Sequence, residues 1–339
     1  MTRLVAGRIC PHTQTNTKIS CQVLEQAPKD CPDMTTDIQL QRRALHEGAL
    51  LLRTPSLGTL VITGKDRLTW LNGMVTCDLA KTRDGEGAYG FVVGKNGKLT
   101  AEVFIVVDDK RILLGVTKDR LELLSGHFDK YVIMEDVDIE DDSDGFTWTL
   151  AHGPHAKELL TIARAHGAAG TAAIDMTGKG GAALVLEKNT ADAIEARLQK
   201  EKSVAVVVGD ESTWDKLRVE IGVARWGVDF NDDNYPQEAA LEHLAVSFQK
   251  GCYLGQEAVF MLQMRGHVKK KIVRLQIEGD EPLANSTDIH LPDGTSVGTI
   301  TSTSQCADKP AIWALGYVKW KQSTAGTELS VAGRKAVVG

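Results

Sequence analysis

The chain has no run of about 18 consecutive apolar residues, so a membrane-spanning helix is not expected. It has no excess of positive charge either. Its 39 Lys and Arg are outnumbered by 45 Asp and Glu, giving a net charge of −6. That balance argues against a stable nucleic-acid complex and leaves room only for a local basic patch. The six cysteines (Cys10, Cys21, Cys31, Cys77, Cys252, Cys306) form no C-x-x-C pair and no disulfide-dense spacing. A reducing, cytoplasmic location fits that usage. The acidic run from Glu135 to Asp144 lacks the ligand spacing of a calcium loop and reads as a solvated connector. His152 and His155 form an H-x-x-H with no third ligand nearby, so they read as structural or surface histidines and no metal site is expected. Gly85 to Gly90 spells G-x-G-x-x-G in an inverted context: a helix pattern precedes it and Phe91-Val92-Val93 follows. The dinucleotide fingerprint needs the opposite order, so the segment reads as a turn entering a strand.

Apolar residues make up 42% and charged residues 25%, the balance of a soluble globular protein, and 339 residues favour two or three domains. Residues 1–33 differ from the rest. Met1 to Leu24 contains no acid and many threonines, and three of the six cysteines fall before Met34. This reads as a disordered or mis-assigned extension, or a transit peptide, and N-terminal sequencing of the native protein separates these.

Ordered structure is expected from Thr35-Thr36-Asp37, an N-cap cluster ahead of a helix carrying Ile38, Leu45 and Ala49. Strand Leu57 to Ile62 and a second helix follow. Asn96-Gly97 is a strong hairpin signal between Phe91-Val92-Val93 and Thr100 to Val107. A third strand (Arg111 to Val116) and a helix (Lys118 to Tyr131) come next, and strands and helices then alternate from Phe146 to Ile221. Beyond Lys271 the chain reads as short strands broken by turns, the pattern of a small antiparallel barrel or sandwich.

The most informative stretch is Lys250-Gly251-Cys252-Tyr253-Leu254-Gly255-Gln256-Glu257. Glycines permit a tight turn, and Gln256-Glu257 suit a helix start. A thiol beside a lysine and just ahead of a helix N-terminus is where a lowered thiolate pKa is expected. A buried, inert cysteine in a tight turn is the alternative. Arg265, His267, Lys269, Lys270 and Lys271 read as a cationic helix end, available to a ligand's acidic tail, to a partner's acidic face or to solvent alone.

The octet, followed by Arg265-Gly266-His267, resembles the signature of YgfZ-type folate-binding proteins. Leu217 to Gly222, Gly227 to Phe230 and Pro236 to Ala239 resemble a segment shared with glycine-cleavage T-proteins, and Ala314 to Val318 is similar to the family's C-terminal barrel pattern. The resemblance runs from about Met34 to the end and is strongest from Leu217 to Lys271. It implies an α+β, three-domain aminomethyltransferase-like ring around a tetrahydrofolate channel. Two α+β modules with antiparallel sheets would be joined by a C-terminal β-barrel. The implied division is 34–55 plus 146–265 for the folate module, 56–145 for the second module and 266–339 for the barrel.

The resemblance further implies an accessory factor for iron–sulfur protein maturation or repair, with iron–sulfur client or assembly proteins as partners. Carried over by position, Cys252 is the functional thiol. Lys250, Gly251, Tyr253, Gly255, Gln256, Glu257 and Arg265 belong to its motif, and Arg218 and Glu220 lie on the folate-facing segment. Departures from the T-protein pattern bear on activity. Ala101-Glu102 stands where T-proteins have Asp-Asp, so Glu102 is the remaining candidate carboxylate. Thr177-Gly178-Lys179 has lysine where T-proteins have an acid for the pterin edge, and Thr76-Cys77-Asp78 replaces Thr-Asn-Asp. These changes favour a non-catalytic folate-binding role over an aminomethyltransferase-like one-carbon transfer enzyme. An interaction module that has lost the ligand is the third reading.

Overall fold

The computed structural model describes residues 34–264, 266–306 and 309–339. The expected extension 1–33 and the motif residue Arg265 lie outside the described residues.

Helix α1 (Met34–Glu47) is followed after one residue by strand β1 (Ala49–Arg53), so Ala49 belongs to a strand and not to the helix expected from its apolar spacing. Glycine is required between them, because a Cβ at Gly48 would meet the Ala205 carbonyl at 2.4 Å. Strand β2 (Leu57–Thr63), helix α2 (Arg67–Asn72), strands β3 (Gly87–Val93), β4 (Leu99–Val107) and β5 (Ile112–Thr117), helix α3 (Leu121–Phe128) and strand β6 (Asp138–Asp141) come next. The acidic run is therefore only partly a connector. Its middle pairs with β2 as an exposed edge strand, where outward charges discourage further pairing.

Chain order continues with β7 (Phe146–His152), α4 (Glu158–Ala165), β8 (Gly170–Ala172), β9 (Gly181–Glu187), α5 (Ala191–Gln199), β10 (Val206–Val208), α6 (Glu211–Ile221), α7 (Glu242–Ala245) and α8 (Gln256–Met264). It ends in β11 (Lys270–Glu278), β12 (Asp288–His290), β13 (Ser296–Gln305), β14 (Ala311–Lys319), β15 (Glu328–Val331) and β16 (Arg334–Val338).

One five-stranded sheet runs β10-β1-β7-β9-β8 and a second runs β3-β4-β5-β2-β6, while β11 to β16 close into a six-stranded barrel. Pairing is antiparallel apart from β1 with β10. The cationic helix end is corrected here: α8 stops at Met264, and Lys270 and Lys271 start β11.

Strand alternation decides what each face presents. On β4, Ala101, Val103, Ile105 and Val107 enter the core beneath α2 and α3, and the intervening Glu102, Phe104 and Val106 face the other way. On β7, Phe146, Trp148 and Leu150 meet Phe104 and Val106 in one cluster, while Ala151 packs under α4 and α5. The two sheets thus share a core, with Trp148 fully buried and its indole N–H donating to Thr59 Oγ1 at 2.9 Å. Among the described residues, no helix is long and apolar enough to cross a membrane.

Candidate functional site

A cavity of about 580 Å³ opens where the faces of β4 and β7 meet α6 and the loop after it. That is the size of a small-molecule site. Strand alternation brings Glu102 and Phe104 to one wall and Leu150 and His152 to another. Trp214 and Arg218, one helical turn apart on α6, form a third. Exposed Arg53, Lys118 and Arg225 stand among the lining residues with Asp119 and Glu211.

Glu102 is 8% exposed and accepts a hydrogen bond from the Tyr89 hydroxyl at 2.5 Å. Burial disfavours its charged form and raises its pKa to about 7, against the partial opposition of the tyrosine. A carboxyl in that range exchanges protons at neutral pH, the property an acid–base group requires. Tyr89 itself is held well above the usual phenol range, chiefly by burial, so it stays a donor.

Arg218 is 1% exposed. Its Nε donates to Asp215, its Nη1 to the Val223 carbonyl and to Asp229, and its Nη2 to Ser302. Four of five guanidinium N–H groups are thereby committed within the protein, leaving about one for a ligand. Glu220, two residues on and about 200° round the helix, turns away from the cavity. Its carboxylate is forked by Arg42 of α1, at 3.0 Å from Nε and 2.8 Å from Nη2. Helix α6 is fixed at both ends: Asp210 accepts from Thr213 N at 2.9 Å, and Gly222 takes the left-handed conformation at φ 85°.

Residues 26–173 match the GCVT N-terminal domain. The aminomethyltransferase of Herpetosiphon aurantiacus is 25% identical over 94% of this chain and 92% of that protein. The one from Rubrobacter xylanophilus is 22% identical over 92% and 87%. The crystal structure of the glycine cleavage system aminomethyltransferase T from Bartonella henselae superposes with a TM-score of 0.72 at 18% identity, covering 89% of this chain and 87% of that one. The chain has the GcvT-like aminomethyltransferase fold. Its α+β content, its sheets that are antiparallel apart from β1 with β10, and its C-terminal barrel agree with the expectation from the sequence resemblance, and these matches support the GcvT-like superfamily.

The cysteine octet lies apart from the cavity lining, strapped over the loop between α2 and β3. Lys250 is 9% exposed, and its ammonium donates to the carbonyls of Asn72 at 2.6 Å, Val75 at 2.9 Å and Cys77 at 2.5 Å. Burial lowers its pKa to about 8. The lysine expected to activate Cys252 is thus a latch on a neighbouring loop. Nearby Cys77 is buried and its thiol is pushed up to about 12 by that burial, so it remains protonated.

Leu254 N donates to the Gly73 carbonyl at 3.0 Å, and Ser247 N to the Thr76 carbonyl at 2.9 Å. Gly255 has φ 77° and sits against the turn between β3 and β4, where a Cβ would come within 2.3 Å of the Gly94 carbonyl. Tyr253 is buried, whereas Gly251, Cys252 and Glu257 are exposed, and Gln256 Nε2 makes only a long 3.4 Å contact to the Gly251 carbonyl. His267 stacks on Trp320 at 4.3 Å, Lys270 lies over the Tyr317 ring, and Lys271 pairs with Glu242 at 2.9 Å. Among the described residues no group of three or more His, Cys, Asp or Glu is arranged to hold a metal.

Lys250→Met removes three donors from three inward carbonyls. It is expected to lower the unfolding free energy by about 2–4 kcal/mol. Cys252→Ser, at an exposed position, is expected to stay within about 0.5 kcal/mol of wild type. Urea titration of both variants checks this, and equal midpoints would refute the latch.

Proposed function

We propose that the chain is a tetrahydrofolate-binding protein that uses Glu102 to hold or release a proton on the bound folate. The observation that carries this reading is the buried carboxyl on the wall of a cavity of about 580 Å³, its pKa raised to about 7. The cavity combines apolar and aromatic walls with a few polar groups, which suits a flat heterocycle, and exposed Lys118 on the lining suits a carboxylate tail, whereas Arg53 is held by Asp192 and Glu195 and Arg225 by Asp215. The names of the relatives favour a one-carbon transfer role of the aminomethyltransferase kind. With Tyr89 on Oε1, Glu102 retains Oε2 for proton exchange with a folate nitrogen.

A second reading rests on the exposed thiol of Cys252 within its octet. In it the folate-bound protein is an accessory to iron–sulfur protein maturation, and Cys252 makes a transient bond to a partner or small thiol. A single thiol does not hold a cluster, which takes about four ligands.

Calorimetry with 5-formyltetrahydrofolate tests the binding, and its complete absence would leave only an interaction module. Tetrahydrofolate and aminomethyl-bearing donors then separate the two roles. Turnover in wild type with a loss of about 100-fold or more in Glu102→Gln supports transfer, and recovery of intact tetrahydrofolate excludes it. For the accessory role, Cys252→Ala is expected to fail to restore a radical-SAM iron–sulfur reporter in cells lacking the gene. Full rescue rules that role out.

A further inference from the structure

His152 is the last residue of β7, set into the sheet opposite Leu50 of β1. Its ring lies flat on Trp214, with centroids 4.5 Å apart and planes 5° from parallel. The residue is 3% exposed, and its Nδ1 is shut off from solvent with no hydrogen-bond partner among the described residues. Several buried side-chain atoms lack partners, but of those residues His152 is the one that also lines the cavity. That nitrogen is buried and out of a ligand's reach, so a contact with a molecule in the cavity falls to the other ring nitrogen, Nε2. Stacking on Trp214 covers one face of the ring and leaves the edge that carries Nε2 for that contact.

We infer that His152 is a specificity-determining residue of the cavity, hydrogen-bonding through its ring edge to a polar atom of the ligand's flat heterocycle. The assignment rests on the folate reading above and deepens it. Burial keeps the imidazole neutral at physiological pH by pushing its pKa down to about 4, despite the opposing charge of Asp175. A neutral imidazole offers one donor and one acceptor and suits an uncharged ring edge better than a carboxylate. Exposed Lys118 also belongs to the lining and suits the charged end of the same molecule, while Arg53 and Arg225 are taken up by Asp192 with Glu195 and by Asp215. Asp175 does not compete for the imidazole, because its carboxylate is held by the backbone N–H groups of Thr177, Gly178 and Gly180.

The test uses the full chain and 5-formyltetrahydrofolate, with binding read by calorimetry and folding by thermal melting. His152→Phe keeps a flat ring on Trp214 and removes both nitrogens. It is expected to bind about 10- to 100-fold more weakly while melting at or above the wild-type temperature. His152→Gln keeps a donor and an acceptor and is expected to regain affinity to within about fivefold of wild type. Wild-type affinity in His152→Phe overturns the assignment, as does equal weakening in the Phe and Gln variants. No binding by wild type overturns the folate reading itself, and this one with it.

Discussion

Arg218→Met is expected to lower the unfolding free energy by about 3–5 kcal/mol, with a matching fall in the urea midpoint. The magnitude follows from what the arginine leaves behind. Asp229 has no side-chain exposure and faces Arg218 Nη1 at 2.5 Å. It also accepts from Arg225 N at 2.9 Å and from the hydroxyls of Thr301 and Ser302 at 2.5 and 2.6 Å. Those neutral donors satisfy lone pairs but do not neutralise a charge in a low-dielectric site. Ser302 and Thr301 belong to β13, so the same cluster ties α6 and the loop that follows it to the barrel. Arg218→Lys preserves the charge but not the fork of donors, and an intermediate loss is expected. Pairing Arg218→Met with Asp229→Leu removes both charges and is expected to recover much of the stability. A single-variant loss under about 1 kcal/mol would contradict the picture of Arg218 as a structural keystone and return its guanidinium to the ligand.

That arginine shows how far the sequence could be read. Its place on the cavity wall was legible from the resemblance of Leu217 to Gly222, although the same resemblance put Glu220 beside it and α6 turns that residue away. The commitment of its donors was not, because Asp229 lies 11 residues away and Ser302 lies 84 away. The β3–β4 hairpin was equally readable, since Asn96-Gly97 marks the turn and Gly97 adopts φ 78°. Strand β1 was missed because Ala49-Leu50-Leu51-Leu52 continues the apolar content of α1, and only Gly48 separates them. Strand β6 was hidden by its acids, whose charges face water at a sheet edge.

At the site, Glu102 was placed by motif position, and its raised pKa came only with the packing of two sheets around it. His152 carried no local signal beyond an H-x-x-H that reads as structural. Its value depends on the β1–β7 register and on Trp214 arriving from α6. Lys250 shows the reverse failure. Adjacency to Cys252 suggested thiol activation, but the long side chain reaches carbonyls more than 170 residues back in the chain.

Glu102→Gln is expected to stabilise the protein by about 3 kcal/mol at pH 8 and to be nearly neutral at pH 4.5. The folded-state pKa of about 7 lies above the ordinary carboxyl value of 4.5, so the native protein binds a proton here more tightly than the unfolded chain. Below pH 4.5 both states are protonated and the group adds no difference. As pH rises from 4.5 to 7 the unfolded chain releases the proton first, and stability falls. Above 7 the full penalty of a buried carboxylate is present. Glutamine carries no titrating proton and can still accept from Tyr89, so the difference between variant and wild type isolates this group from all others. Denaturant titrations of both proteins at pH 4.5, 6 and 8 measure it, and a difference that does not change with pH would refute the assignment. The same strain links stability to binding. A ligand that places a positive nitrogen or an N–H donor on Glu102 stabilises the carboxylate that the empty cavity disfavours, and its affinity should rise from pH 6 to 8 in wild type and not in Glu102→Gln.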